Sequence, residues 1–202
     1  MPPPKDKSQG AGGCFGGDPA EVAPFIAEHG AVHETCQNYQ AKNLYKDFKC
    51  DAIGVCRNCG HGGEGCHAMG VTAGVNNFTK YHVAEWGRIN STDAKANAKA
   101  MVAEIGARGP ISGSICVTPA FEAYTGGIFE DTTGCTSLDH SISIAGYGHD
   151  DASGKDYWVI RNSWGTYWGE DGWARIVRGT NNLGIEITAE WTTPLVQSSE
   201  AA

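Results

Sequence analysis

Apolar and polar positions alternate over residues 141–144. Ile142 and Ile144 interleave with Ser141 and Ser143, the period of two that marks a strand buried on one face. Tyr157–Ile160 is aromatic and β-branched and predicts the next strand. Between them Asp150, Asp151, Ser153 and Gly154 supply a polar turn. Antiparallel pairing of the two strands would bring His140, at the start of one, near Asn162, at the end of the other. An amide oxygen beside an imidazole can accept one ring N–H and fix the tautomer. The second ring nitrogen is then left to work on a nucleophile.

Helical spacing is found earlier in the chain. Asp18, Pro19 and Glu21 read as a cap, a first-turn proline and a first-turn acid. Val22, Phe25, Ile26 and His29 follow at helical spacing, Gly30 closes the segment, and Pro24 within it predicts a distortion. Residues 71–88 read as strand and loop, with Tyr81, Val83 and Trp86 as expected buried contacts. Asn90–Asp93 caps a second helix whose apolar face is Ala94, Ala98, Met101, Val102 and Ile105, ended by Gly106, Gly109 and Pro110. A strand then runs from Ile111 through Ile115 to Val117, and a turn-bearing stretch covers Tyr124–Phe129.

Composition narrows the class. With 202 residues the chain can form one large domain or two small lobes. Hydrophobic residues at 41% and charged residues at 19% fit a folded chain and not a disordered one. A net charge of −8 with no basic stripe argues against a nucleic-acid partner. No apolar run approaches the ~18 residues of a membrane span. Of the eight cysteines, six fall between Cys14 and Cys66, a density typical of oxidising compartments. Asn77-Phe78-Thr79 and Asn90-Ser91-Thr92 are glycosylation acceptor patterns that agree with that compartment. Residues 1–10 nevertheless carry no signal-peptide pattern. The expectation is a fragment whose signal, propeptide and first lobe segment lie upstream. The predicted organisation is a disordered extension over 1–12, a folded portion over 13–194 with a cysteine-rich insert at 33–67, and a mobile tail at 195–202.

The string Asp139-His140, then Asn162-Ser163-Trp164-Gly165, Trp168-Gly169 and Gly172-Trp173, resembles the C-terminal half of a papain-family cysteine peptidase. Gly13-Cys14-Phe15-Gly16-Gly17 resembles that family's cleft-floor motif, where backbone without side chains lets an extended peptide add like a strand. The cysteine-rich block resembles the insert of the family's cathepsin X (Z) branch. The resemblance implies an α+β, papain-like two-lobe fold, with an incomplete helical lobe and a largely complete β-barrel-like lobe. It also implies thiolate–imidazolium peptidase chemistry of the lysosomal carboxypeptidase kind.

By the same resemblance His140 is the imidazole and Asn162 its orienter. Trp164 covers their hydrogen bond, Trp168 forms part of the primed-side wall, and the backbones of Gly16, Gly17 and Asp139 meet the substrate. Cys36–Cys56 and Cys59–Cys66 are the implied disulfides. A zinc site on Cys56, Cys59, Cys66 and His67 is disfavoured, since adjacent ligands are awkward and the compartment suits disulfides, so neither metal nor cofactor is expected. Pairing of Cys14, Cys50, Cys116 and Cys135 stays open. The nucleophile motif Cys-Gly-Ser-Cys-Trp does not occur, nor does the glutamine that would donate to the oxyanion. Cys14 lies 126 residues before His140, but its Gly16-Gly17 context matches the cleft floor and not the nucleophile. The expected partners are peptide or protein substrates and an upstream segment bearing nucleophile and propeptide, in a lysosomal or secreted setting. The rival expectation is an inactive peptide-binding module of the same fold.

Overall fold

The computed structural model describes residues 17–34 and 79–195. The chain divides into two units, residues 1–85 with 194–202, and residues 86–193. In the first, α1 (Pro19–His29) starts where the Asp18 side chain accepts the Ala20 N–H at 3.0 Å. It stops at Gly30, whose φ of 74° suits a residue without Cβ and whose N–H reaches Ile26 O at 2.9 Å. Pro24 sits inside α1, where it removes one helix hydrogen bond, and the helix runs on past it to His29. The expected apolar face is also not the covered one. Ala23 is buried, whereas Val22 and Phe25 are exposed. After α1, Ala31 bridges to Tyr81, and the His82 ring donates from Nδ1 to Ala27 O at 3.1 Å.

The second unit holds most of a seven-stranded sheet, whose first strand begins, and whose last strand ends, just across the division. Its strands are β1 (Val83–Ile89), β2 (Ile111–Ile115), β3 (Ile128–Phe129), β4 (His140–Asp150), β5 (Lys155–Arg161), β6 (Trp173–Val177) and β7 (Ala189–Pro194), in the order β1-β7-β2-β4-β5-β6-β3. β2/β7, β2/β4, β4/β5 and β5/β6 pair antiparallel, and β3 joins β6 in parallel. The sheet is therefore mixed, with α2 (Ala94–Arg108) against β2 and β4. This is the α+β arrangement that the sequence predicts.

The alternation read from the sequence fills the core. Ile111, Ile115, Ile142, Ile144, Trp158, Ile160, Ala174 and Ile176 meet Met101 and Ile105 of α2. Each large side chain fully buried there contributes about 1.5–3 kcal/mol. At Gly113 a Cβ would stand 2.6 Å from Ile144 Cδ1, so any larger residue there would make the Ile144 side chain shift. α2 begins with the Asp93 carboxylate accepting from Lys95 N and Ala96 N, as expected, but Gly106 lies within the helix and only Gly109 ends it. Strand β2 ends at Ile115, short of Val117. Tyr81 and Trp86, expected inside, are 54% and 46% exposed. Aromatic content marks a strand but not which of its faces is covered.

Two buried polar side chains tie the layers together. The Asn97 amide donates from Nδ2 to Ser91 O, Glu186 O and Ile187 O, and accepts from Ser91 N and Oγ. The fully buried Glu186 carboxylate accepts from Trp158 Nε1 at 3.0 Å, Gly179 N at 2.6 Å and Asn181 N at 2.8 Å. Three N–H donors replace the water that a buried carboxylate loses. A disulfide joins Cys116 to Cys135, with Cα atoms 5.9 Å apart and a sequence separation of 19.

Candidate active site

His140 is the first residue of β4, and Asn162 follows the last residue of β5. The β4/β5 ladder ends at Ser143–Arg161, and beyond it the two strands part. Across that gap His140 Nε2 lies 2.8 Å from Asn162 Oδ1. Asn162 is 8% exposed, and its backbone N–H is held by Gly172 O at 3.0 Å. Ser163 N also donates to Asn162 Oδ1, at 2.8 Å. A backbone N–H needs an acceptor, so this bond fixes which end of the amide faces the ring. The oxygen faces His140, so the imidazole donates through Nε2. In the neutral ring Nδ1 then carries the lone pair. Asn162 Nδ2 is buried without a hydrogen-bond partner among the described residues.

Aromatic rings surround the pair. The Trp164 ring lies over His140, centroids 5.0 Å apart and planes tilted by 30°. Behind it Trp168 stands nearly perpendicular at 5.1 Å, and its Nε1 donates to Glu122 O at 3.0 Å. Both indoles rest on Phe121, a fully buried ring on the helical turn Pro119–Glu122, at 6.0 and 5.1 Å. Thr118 caps that turn by accepting from Phe121 N. Tilted and edge-to-face contacts of this kind each add about 0.5–1.5 kcal/mol beyond burial.

The loop that carries the indoles is set by backbone. Gly165, Gly169 and Gly172 have φ of 90°, 62° and 90°. At Gly169 a Cβ would also come 2.5 Å from Trp173 O. Glu170 closes the loop base, taking Arg175 Nη2 at 2.6 Å, Arg175 Nε at 3.1 Å and Gly127 N at 3.0 Å. The Arg175 hydrogen bonds hold the Glu170 carboxyl below the usual glutamate range. Burial raises the Tyr124 phenol, which donates to Gly127 O at 2.6 Å.

The other residues singled out from sequence fall as follows. Asp139, just before His140, is exposed. Its N–H donates to Ile115 O at 3.1 Å, and its Oδ1 accepts Val117 N at 2.9 Å. Gly17, also exposed, lies just ahead of the α1 cap in the other unit. Gly16, Cys14, Cys36, Cys50, Cys56, Cys59, Cys66 and His67 lie outside the described residues. Sequence reasoning missed Phe121 and the Ser163 N–H. The first sits in a short Thr-Pro-Ala-Phe turn with no periodic signal, and the second is a backbone group.

The arrangement presents an imidazole with one nitrogen committed to an amide oxygen, the other without a hydrogen bond among the described residues, and an indole packed against the ring. Such a ring can take a proton from a thiol and return it to a leaving amine. Residues 5–193 match the papain family cysteine protease profile, and the chain belongs to that family. It is 40% identical to cathepsin Z of Onchocerca volvulus over 92% of this chain and 56% of that relative. It is 32% identical to cathepsin B-like cysteine proteinase 1 of Haemonchus contortus over 87% of this chain and 52% of the relative. Digestive procathepsin L 3 of Tenebrio molitor larval midgut superposes with a TM-score of 0.65 at 29% identity, over 90% of this chain and 50% of that one. The chain thus spans about half the length of the curated relatives it matches.

Proposed function

We propose that this chain supplies the imidazole half of a cysteine-type peptidase. The 2.8 Å contact between His140 Nε2 and Asn162 Oδ1, with Ser163 N fixing the amide, carries the reading. A thiolate attacks the peptide carbonyl, and the His140 imidazolium gives its Nδ1 proton to the leaving amine. The same nitrogen then takes a proton from the water that hydrolyses the acyl-enzyme. Asn162 keeps Nε2 occupied so that Nδ1 faces this work. By the family likeness Trp164 would cover the His140–Asn162 bond, Trp168 would form part of the primed-side wall, and the backbones of Gly16, Gly17 and Asp139 would meet the substrate chain. The absence of Cys-Gly-Ser-Cys-Trp from the 202 residues motivates a further part of the proposal: the thiolate belongs to a segment outside them, and this length of chain alone does not turn over peptides.

Peptides and proteins are the proposed substrates, and an upstream propeptide is a proposed partner. Carboxypeptidase action is proposed on the likeness of residues 33–67 to the cathepsin X (Z) insert and on the cathepsin Z relative. A lysosomal or secreted location fits the Cys116–Cys135 disulfide. A peptidyl epoxide, which alkylates active-site thiolates, tests the proposal. The chain alone should remain unlabelled. The chain extended by its own upstream sequence should be labelled once, and His140→Ala should abolish the labelling. Stoichiometric labelling of Cys14 in the chain alone, or peptide binding without turnover by the extended chain, would overturn it.

A further inference from the structure

His140 stands at the end of its ladder in the sheet. It lies three residues before Ser143, where pairing with β5 ends, so β5 does not hold its backbone. On the other side it pairs with Ile115, the last residue of β2, and that is the final rung of the β2/β4 ladder. A terminal rung frays more readily than an interior one, and here two bonds of Asp139 extend it: its N–H donates to Ile115 O at 3.1 Å, and its Oδ1 accepts Val117 N at 2.9 Å. Upstream of His140 residues 130–139 form neither helix nor strand, and Thr132, Thr133, Gly134, Thr136 and Ser137 are all exposed. Asp131 anchors the far end of this segment to Asn182, accepting and donating through the backbone at 3.1 and 2.9 Å.

The disulfide closes just past that terminal rung. Cys116 is the residue after Ile115, buried to 3% exposure, and its N–H donates to Leu183 O at 2.9 Å. Cys135 lies on the segment that leads into Asp139 and His140. The loop it closes also contains Phe121, Tyr124 and Phe129, the rings beneath Trp164 and Trp168. One covalent bond therefore ties the approach to His140 to the end of β2 and bounds the loop carrying the floor of the aromatic cover.

We propose that the Cys116–Cys135 disulfide is a positioning element for the His140 imidazole. It holds the end of the β2/β4 ladder in register so that Nε2 stays on Asn162. The proposal rests on the reading of His140 as the working imidazole, and it makes the site sensitive to loss of a bond that takes no part in the chemistry.

The test is Cys116→Ala with Cys135→Ala in the full chain, because a reductant would also act on the other cysteines. The readouts are the NMR chemical shifts of the His140 ring nitrogens and the exchange of its Nε2 proton with solvent. Met101→Ala, in the buried face of α2, is the control for lost stability without a change near the site. Both variants are studied with trimethylamine N-oxide added, so that marginal folding does not decide the result. In the double variant the Nε2 proton should exchange about fivefold faster, the change expected when a hydrogen bond loses roughly its typical net worth. The His140 ring-nitrogen shifts should also move, with neither change in Met101→Ala. In the extended chain kcat should fall while KM holds. Unchanged His140 exchange and ring-nitrogen shifts in the folded double variant would overturn the proposal, as would equal changes in Met101→Ala. Moved His140 signals without turnover in any extended chain would refute the peptidase reading and leave the positioning result standing.

Discussion

Phe121→Ala removes the ring on which both indoles of the candidate site rest. Phe121 is fully buried and lies 5.2 Å from Phe129, 6.3 Å from Tyr124, 6.0 Å from Trp164 and 5.1 Å from Trp168. Truncation of a buried phenylalanine costs about 3–5 kcal/mol, the transfer of the lost carbons plus the cavity they leave. Four aromatic neighbours cannot all collapse into that space, because Trp168 is also held by Glu122 O and Tyr124 by Gly127 O. The cost should therefore sit in the upper half of that range. With a urea dependence of about 2 kcal/mol per molar, the unfolding midpoint should fall by roughly 2 M. Phe121→Leu loses three carbons, about 2 kcal/mol at ~0.8 per methylene, and should shift the midpoint by about half as much. Urea titration by far-UV circular dichroism measures the midpoint, and near-UV circular dichroism reports the indoles. A shift under about 0.5 M for Phe121→Ala, with the near-UV signal intact, would refute the claim that this ring supports the cover over His140.

Asn162→Ala in the extended chain should lower turnover far more than substrate affinity, because orientation of the imidazole matters most in the transition state; steady-state kinetics give the split. Gly169→Ala should cost about 1–3 kcal/mol, since it places a side chain at φ 62° with Trp173 O only 2.5 Å from the new Cβ, and thermal unfolding measures it. Glu170 has a lowered folded pKa, so its contribution is complete above the unfolded glutamate range and is lost as pH falls through the folded value. Glu170→Gln should therefore destabilise near neutrality and flatten the acid limb of a stability–pH profile. A parallel offset at all pH values would contradict that assignment.

The sequence makes the central pair legible through physics that acts locally. Period-two alternation gives β4, β-branched and aromatic residues give β5, and a polar turn joins them, so His140 and Asn162 must end near each other. The capping residues Asp18 and Asp93 and the closing Gly30 and Gly109 are equally readable, because each satisfies helix-end groups on its own. What stays hidden depends on the third dimension. Trp86 and Tyr81 carry the composition of core residues, yet the sheet leaves them exposed. Asn97 does show a trace, a polar residue spaced with Ala94, Ala98 and Met101 on the covered face of α2. Glu186 shows none, since its donors are one distant indole and two backbone groups. Cys116 and Cys135 are visible as residues, but only the folded loop shows that they meet.

The glycine-shaped loop between Asn162 and Trp173 has a further consequence. Its working parts all point inward or to its base: the amide on His140, the indole of Trp168 on Glu122, the carboxylate of Glu170 on Arg175 and Gly127. Its tip does not. Thr166 and Tyr167 are exposed, and Tyr167 is as open to solvent as a free side chain, at 103%. Substitutions at these two positions need disturb neither the imidazole nor the aromatic floor. The loop thus separates residues that selection must hold from residues it can vary at little cost to the fold, and the variable ones stand only a few positions along the chain from the chemistry.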